Sequence, residues 1–127
     1  MKYSYISVYG TLRIGENANN KLKECKFISK TEENLPFKML DLGSFPALVS
    51  SSENKTIVLE TYKIPENKPY IKKNIDSYEG YHENGDGLYD KQLIKLKSGI
   101  ESCIYYMKSE KKLHYSKEII SGDWKNR

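Results

Sequence analysis

Two short stretches of the sequence carry groups that could do chemistry together. The first is Tyr9-Gly10-Thr11-Leu12, which follows a strand-like run near the start of the chain. A glycine at that position permits positive φ and a close backbone approach, so the amides that follow can point together into a cavity. Such amides bind a carboxylate or a developing oxyanion. The alternative is a simple turn at the end of a strand, which the tetrapeptide taken alone favours.

The second stretch is IDSYEGY, in which Glu79 lies between Tyr78 and Gly80 at the end of a predicted helix. Neighbouring aromatic rings would exclude water from this carboxylate and raise its pKa, so that it could serve as a general base. The alternative is an exposed glutamate at a helix C-terminus. The helix dipole disfavours an anion there, which argues for a functional carboxylate.

Strands in the first half of the chain must position the glycine-containing loop. Residues 2–9 alternate between two faces, and this pattern predicts a first strand in the centre of a sheet. Residues 16–24 are polar and predict only a short helix. Residues 36–64 alternate apolar runs with the breakers DLGSFP and SSSENK, a pattern that predicts several short antiparallel strands joined by tight turns.

One helix and a hairpin follow in the second half of the chain. Residues 66–81 change to a period of three to four, and this predicts a helix that begins near Pro69 and ends at Gly80. The runs LYDKQLIKL and ESCIYYMK flank KSG and predict a β-hairpin. A tail that contains IISGDW completes the chain, and no repeat or linker interrupts residues 1–127, which predicts a single domain.

Composition excludes several classes of protein. The chain has 127 residues and a net charge of +4, but its lysines are scattered, which argues against nucleic-acid binding. Base stacking on the 11 tyrosines remains a weaker alternative, and it would make binding strongly salt-dependent. No apolar stretch approaches the roughly 20 residues that span a bilayer, and no signal peptide is visible. The sequence predicts a cytoplasmic protein without a membrane partner.

Cysteine and histidine spacing favours no metal site. Cys25 and Cys103 are far apart and form no CxxC motif, so we expect two reduced structural thiols. His82 and His114 show no ligand spacing and are expected to be structural or surface residues. The chain also has no phosphate loop of the GxxxxGK[ST] type. We therefore expect a protein that needs neither a metal nor another cofactor.

Seven blocks of the sequence resemble, in order, those of the γ-glutamylcyclotransferase-like family, of the γ-glutamylamine cyclotransferase type. They are VYGTLRIG, DLGSFPALV, LETYKI, IDSYEGY, LYDKQLIKL, CIYYM and SGDW, and they are spread over nearly the whole chain. The resemblance implies an α+β fold, a small mixed β-barrel with short helices packed outside. It also implies a pocket formed by the Tyr9 to Leu12 loop facing Glu79.

The resemblance further implies a reaction and its site residues. Glu79 would take a proton from the α-amine of a small γ-glutamyl substrate, and the amine would then attack its own γ-carbonyl to form 5-oxoproline and release an amine. Tyr9, Gly10, Thr11 and Leu12 would bind the substrate. Tyr89 and Tyr105 match pocket tyrosines of the family, although core packing is an equal alternative for both.

Three departures from the family pattern leave the leaving-group side of the pocket, and hence the substrate, open. Many relatives have glycine where this chain has Leu59, arginine is frequent where it has Lys91, and the asparagine common after the loop is displaced. The asparagines present there are Asn17, Asn19 and Asn20. A non-catalytic module of the same fold, which binds a small ligand or a protein, is therefore the alternative to an enzyme. The oligomeric state also stays open.

Overall fold

The computed structural model describes residues 1–87, 89–108 and 117–127. Its strands are β1 (Tyr5–Val8), β2 (Lys26–Asp41), β3 (Pro46–Lys63), β4 (Tyr89–Lys95), β5 (Glu101–Met107) and β6 (Lys117–Glu118). One α-helix, α1, spans Tyr70–Glu79, and two 3-10 helices span Asn19–Leu22 and Trp124–Asn126. The short helix predicted after the loop is therefore present as a 3-10 turn.

The strands form one mixed sheet in the order β4-β5-β1-β3-β2-β6, curled into a half-barrel. Strand β1 runs antiparallel to β3 and parallel to β5, so the first strand is central, as predicted. Strands β4 and β5 form the predicted hairpin, with Leu93 opposite Cys103. The predicted α+β class and barrel-like mixed sheet are confirmed.

Strand β1 is buried on both of its faces because the sheet curls around one side and α1 covers the other. Ile6 and Val8 pack in the apolar cluster that also contains Ile75 of α1. On the opposite face, the hydroxyl of Ser7 bonds to the hydroxyls of Thr61 and Ser102, each at 2.7 Å. These partners satisfy buried polar groups that would otherwise be costly. The C-terminal end of β1 is thus held rigidly, and the loop that follows starts from a fixed point.

The prediction of several short strands between residues 36 and 64 is wrong. Two long strands, β2 and β3, are joined by one turn at residues 42–45. The SSSENK segment does not end a strand, because Leu35 pairs with Lys55 and Phe37 pairs with Ser50. Residues 51–54 therefore bulge opposite Pro36, which lacks the N–H that a regular ladder would need at that point.

Helix α1 confirms the predicted end at Gly80. Gly80 has a φ of 74°, and its N–H donates to the carbonyl oxygens of Asp76 and Ser77. This left-handed cap makes Glu79 the last helical residue. The helix buries Ile71 and Ile75. Since residues four apart lie on the same helix face, Glu79 follows Ile75 toward the sheet.

The remaining expectations about polar and sulfur-containing residues fit the described part of the chain. Cys25 is a partly buried free thiol and Cys103 is a buried one. His82 is exposed and its Nδ1 lies 2.6 Å from Asp86 Oδ1. His114 lies outside the described residues. No helix within the described ranges is both long enough and apolar enough to cross a membrane.

Candidate active site

The loop after β1 and the end of α1 meet at a cavity of about 350 Å³. All seven residues singled out from the sequence line it. The lining residues are Ser7, Val8, Tyr9, Gly10, Thr11, Leu12, Asn17, Ser44, Phe45, Pro46, Tyr78, Glu79, Tyr89 and Tyr105. The seven come from four separate parts of the chain (the loop after β1, the end of α1, β4 and β5), and they make up half of the fourteen described residues that line the cavity.

The loop is fastened to the cavity wall at two hydroxyl groups. The buried hydroxyl of Tyr9 donates to the backbone carbonyl of Tyr105 at 2.8 Å. Thr11 Oγ1 and the hydroxyl of Tyr78 share a hydrogen bond of 2.6 Å, which ties the loop to α1. Among the described residues, no acceptor is bonded to the backbone N–H groups of Thr11 and Leu12. Both residues line the cavity.

The requirement for glycine at position 10 differs from the prediction. The backbone of Gly10 does not adopt positive φ, so the left-handed conformation is not the reason. A Cβ atom added at Gly10 would lie 2.8 Å from Cγ and Cδ of Pro46, closer than such carbons approach. The second half of the prediction, that the backbone at Gly10 is closely approached, holds. The group that approaches it is the ring of Pro46, the first residue of β3.

Gly10→Ala is expected to destabilise the protein by about 1–3 kcal/mol, because the added methyl group overpacks the contact with Pro46. Urea unfolding of the variant measures this loss. Pro46→Ala in the same chain should restore part of it, since the double variant removes the atoms that clash.

Gly10→Val is also expected to weaken binding of carboxylate ligands, because it displaces the loop. An unchanged affinity in a folded Gly10→Val variant would show that the loop is only a turn.

Glu79 is partly buried at the cavity wall, and burial raises its pKa to about 7. No hydrogen-bond donor for its carboxylate is found in the described part of the chain, so nothing offsets the loss of water. Burial also raises the pKa of Tyr89, and the nearby Glu79 carboxylate adds to that rise. Burial likewise raises the pKa of Tyr9, and the nearby Tyr89 and Glu79 add to that rise. A carboxylate with a pKa near neutrality can both accept and return a proton.

Tyr105 is positioned by a polar cluster behind the cavity. Its hydroxyl donates to Asp76 Oδ1, and the Nζ of Lys91 lies 3.0 Å from the same oxygen. Burial and the bond to Asp76 raise the pKa of Tyr105, so it is a neutral phenol. Lys91, which stands where arginine is frequent in the family, thus forms an ion pair with Asp76. Tyr105 both lines the cavity and belongs to the apolar core, so the two roles considered for it coexist.

Sequence reasoning missed the ion pairs that hold the loop from behind. Arg13 is fully buried, and its Nε donates to Glu60 Oε2 at 2.7 Å while its Nη1 donates to Asp123 Oδ1 at 2.6 Å. The other oxygen of Glu60 accepts the N–H of Ile14 at 2.8 Å. The three charged residues stand in the blocks VYGTLRIG, LETYKI and SGDW, and nothing in their spacing links them.

The C-terminal tail and one asparagine complete the support of the loop. Trp124 Nε1 donates to Glu16 Oε1 at 3.1 Å, and Lys125 Nζ donates to the carbonyl of Ile14. The Asn19 side chain donates to the carbonyl of Leu12 at 2.8 Å and to the hydroxyl of Tyr62 at 3.1 Å. Of the asparagines after the loop, Asn19 is therefore structural and Asn17 lines the cavity.

The half-barrel sheet brings the loop after β1 and the carboxylate of Glu79 to one cavity, an arrangement suited to a small molecule. Residues 6–126 match the family described as Gamma-glutamyl cyclotransferase, AIG2-like, and the chain belongs to this family. A relative from Niallia circulans, Gamma-L-glutamyl-butirosin B gamma-glutamyl cyclotransferase, is 34% identical over 87 residues. That match covers 66% of this chain and 52% of the relative, so the chain spans about half the relative's length.

Solved structures share the fold over almost the full chain. An uncharacterised protein from Pyrococcus horikoshii superposes with a TM-score of 0.72 at 24% identity and covers 95% of this chain and 89% of its own. The protein ytfP from Escherichia coli has a TM-score of 0.65 at 26% identity, with coverages of 94% and 95%. These likenesses agree with the half-barrel described above.

Proposed function

We propose that the protein is a cyclotransferase that converts a γ-glutamyl amine or γ-glutamyl amino acid into 5-oxoproline and a free amine. The observation that carries the proposal is Glu79, which has a pKa of about 7 and lines the same cavity as the loop. Family membership supports the class of reaction. The reaction is an intramolecular transfer of the γ-glutamyl acyl group from one nitrogen to another.

The substrate carboxylate is held by backbone N–H groups. Among the described residues that line the cavity there is no lysine or arginine, so an anion there depends on backbone donors. The N–H groups of Thr11 and Leu12 are available for this purpose. The ion pairs of Arg13 and the bond from Tyr9 to Tyr105 fix the loop before the substrate arrives, which lowers the entropic cost of binding.

Glu79 moves the protons of the reaction. In its ionised form it takes one proton from the substrate's α-ammonium group, and the resulting amine attacks the γ-carbonyl carbon to close a five-membered ring. The carbonyl oxygen then carries negative charge, which nearby N–H donors stabilise. The protonated Glu79 returns its proton to the leaving nitrogen, and the original C–N bond breaks. Over the whole reaction the α-nitrogen loses two protons and the leaving nitrogen gains two. Glu79 carries these protons one after the other.

The proposal is tested by incubating the protein with a panel of γ-glutamyl amides and γ-glutamyl dipeptides and measuring 5-oxoproline by mass spectrometry. Release of 5-oxoproline together with the matching amine, in equal amounts, is the expected result. Tight binding of these compounds with no 5-oxoproline would instead support a non-catalytic binding module of the same fold.

The pH dependence of kcat/KM is expected to have an acidic limb near pH 7. Glu79 must be ionised to accept a proton, and because burial raises its pKa to about 7, the ionised fraction falls about tenfold for each pH unit below that value. The rate should therefore rise from pH 5 to 7 and then level off. A second limb at higher pH would belong to the α-amine of the substrate. Substrates with less basic α-amines should shift that second limb and leave the acidic limb unchanged. An active enzyme whose kcat/KM is flat between pH 5 and 7 would exclude Glu79 as the base.

A further inference from the structure

Burial divides the lining of the cavity into a floor and a mouth. The floor consists of buried residues, among them Ser7, Tyr9 and Tyr105. Glu79 is only partly buried and lies beside them. The mouth consists of the exposed lining residues, which are Asn17, Ser44, Phe45 and Tyr78. A bound molecule therefore meets two different environments along its length.

Two aromatic rings dominate the mouth. Phe45 is 42% exposed and Tyr78 is 40% exposed, and both line the same cavity. Among the described residues, neither ring stacks on another aromatic ring. Exposed aromatic surface is unfavourable in water and gains free energy when an apolar group covers it. The two rings thus offer an apolar surface where the cavity opens.

The ring of Tyr78 and the backbone of Phe45 are held in place without a ligand. The hydroxyl of Tyr78 is bonded to Thr11, and Lys21 Nζ lies 5.0 Å from the centre of its ring. Phe45 ends the turn between β2 and β3, where its carbonyl accepts the N–H of Leu42 at 3.1 Å. The next residue, Pro46, packs directly on Gly10. Little ordering of the loop is therefore needed on binding.

The described lining of the mouth offers no charged group to pair with a ligand. Glu79 is the only charged residue among the described lining residues, and it is engaged with the reacting nitrogen atoms in the proposed reaction. The other exposed lining groups, Asn17 and Ser44, are neutral. Lys21 Nζ lies over the Tyr78 ring and is not one of these lining residues. A charged group in this part of a ligand would therefore lose water without gaining a charged partner from the lining.

We propose that Phe45 and Tyr78 form the leaving-group subsite and that it takes an uncharged apolar amine, with an arylalkylamine preferred to a short alkylamine. The inference rests on the proposed function, because the glutamyl part must reach Glu79 and the floor, which leaves the mouth to the amine. Phe45 then determines specificity. It touches only the variable part of the substrate and not the reacting atoms.

The test compares γ-glutamyl-2-phenylethylamide with γ-glutamylethylamide. Phe45→Ala is expected to lower the ratio of their kcat/KM values by about tenfold, mainly through a higher KM for the phenylethyl compound. Phe45→Leu keeps an apolar side chain and should give a smaller drop. Phe27→Ala is the matched control, because Phe27 is also 42% exposed but does not line the cavity. It should leave the ratio unchanged. An unchanged ratio in Phe45→Ala, or an equal drop in Phe27→Ala, would overturn the subsite.

A binding measurement separates failure of the subsite from failure of the proposed function. If the protein releases no 5-oxoproline from these two compounds or from any member of the panel, the proposed function fails. Calorimetric titration of the same two compounds into the wild-type chain and Phe45→Ala then still tests the subsite. Roughly tenfold weaker binding of the phenylethyl compound alone supports the subsite, whereas equal affinities for wild type and variant, or no binding at all, reject it.

Discussion

Glu79→Gln is expected to lower kcat/KM for 5-oxoproline formation by about 10²- to 10⁴-fold, the usual contribution of a general acid-base group. Glutamine keeps the size and polarity of the side chain but cannot accept the α-amine proton at working pH. The measurement is release of 5-oxoproline from the best substrate of the panel at pH 8, where Glu79 of the wild-type chain is ionised.

Glu83→Gln is the matched control for this experiment. Glu83 lies four residues later, is exposed and does not line the cavity, so the same chemical change there should leave kcat/KM within about twofold of wild type, as for most surface substitutions. Near-wild-type turnover by Glu79→Gln, or an equal loss in Glu83→Gln, would remove Glu79 from the mechanism.

The folding of Glu79→Gln can be verified by a stability effect of known sign. The pKa of Glu79 is about 7 in the folded chain and about 4.5 in its unperturbed state, so ionisation favours the unfolded chain. The wild-type chain therefore loses stability as the pH rises from 4.5 to 7, by up to about 3 kcal/mol. The glutamine variant does not titrate and should be the more stable of the two at pH 8. Urea unfolding at pH 5 and pH 8 tests this difference.

Arg13→Met is expected to lower the free energy of unfolding by about 3–5 kcal/mol, because it leaves the carboxylate of Glu60 buried without its cation. Arg13 is fully buried and Glu60 is 3% exposed, so solvent screens neither group. Burial alone would lower the pKa of Arg13, but its hydrogen bonds to Glu60 and Asp123 outweigh that effect and raise it. Arg13 is therefore charged at every pH of interest.

The same variant should raise KM for γ-glutamyl substrates, since Arg13 directly follows the loop whose N–H groups are proposed to bind the substrate carboxylate. Lys68→Met serves as the control, because it removes an ion pair with Glu24 in which both side chains are about one-third exposed. Exposed pairs contribute little, so its unfolding midpoint should stay close to that of wild type. Equal midpoints for Arg13→Met and wild type would show that the buried pair does not stabilise the loop.

Local chemistry in the sequence determined where the main elements begin and end. Alternation in residues 2–9 is enough to predict β1, and the glycine at position 80 is enough to end α1, because each signal depends only on near neighbours. These two elements carry the loop and Glu79, so the main residues of the candidate site were predictable. The strand pattern of residues 36–64 was not, since a bulge opposite Pro36 keeps β3 continuous through a polar segment.

Only the tertiary structure decided what holds the loop and what surrounds the carboxylate. Gly10 is required because of Pro46, and Arg13 is paired with residues 47 and 110 positions away, contacts that no local pattern encodes. The pKa of Glu79 depends on how much water the assembled cavity excludes, which a neighbouring tyrosine in the sequence can suggest but not set. Sequence therefore determined the candidate groups and their secondary structure, and long-range packing determined their position and the pKa of Glu79.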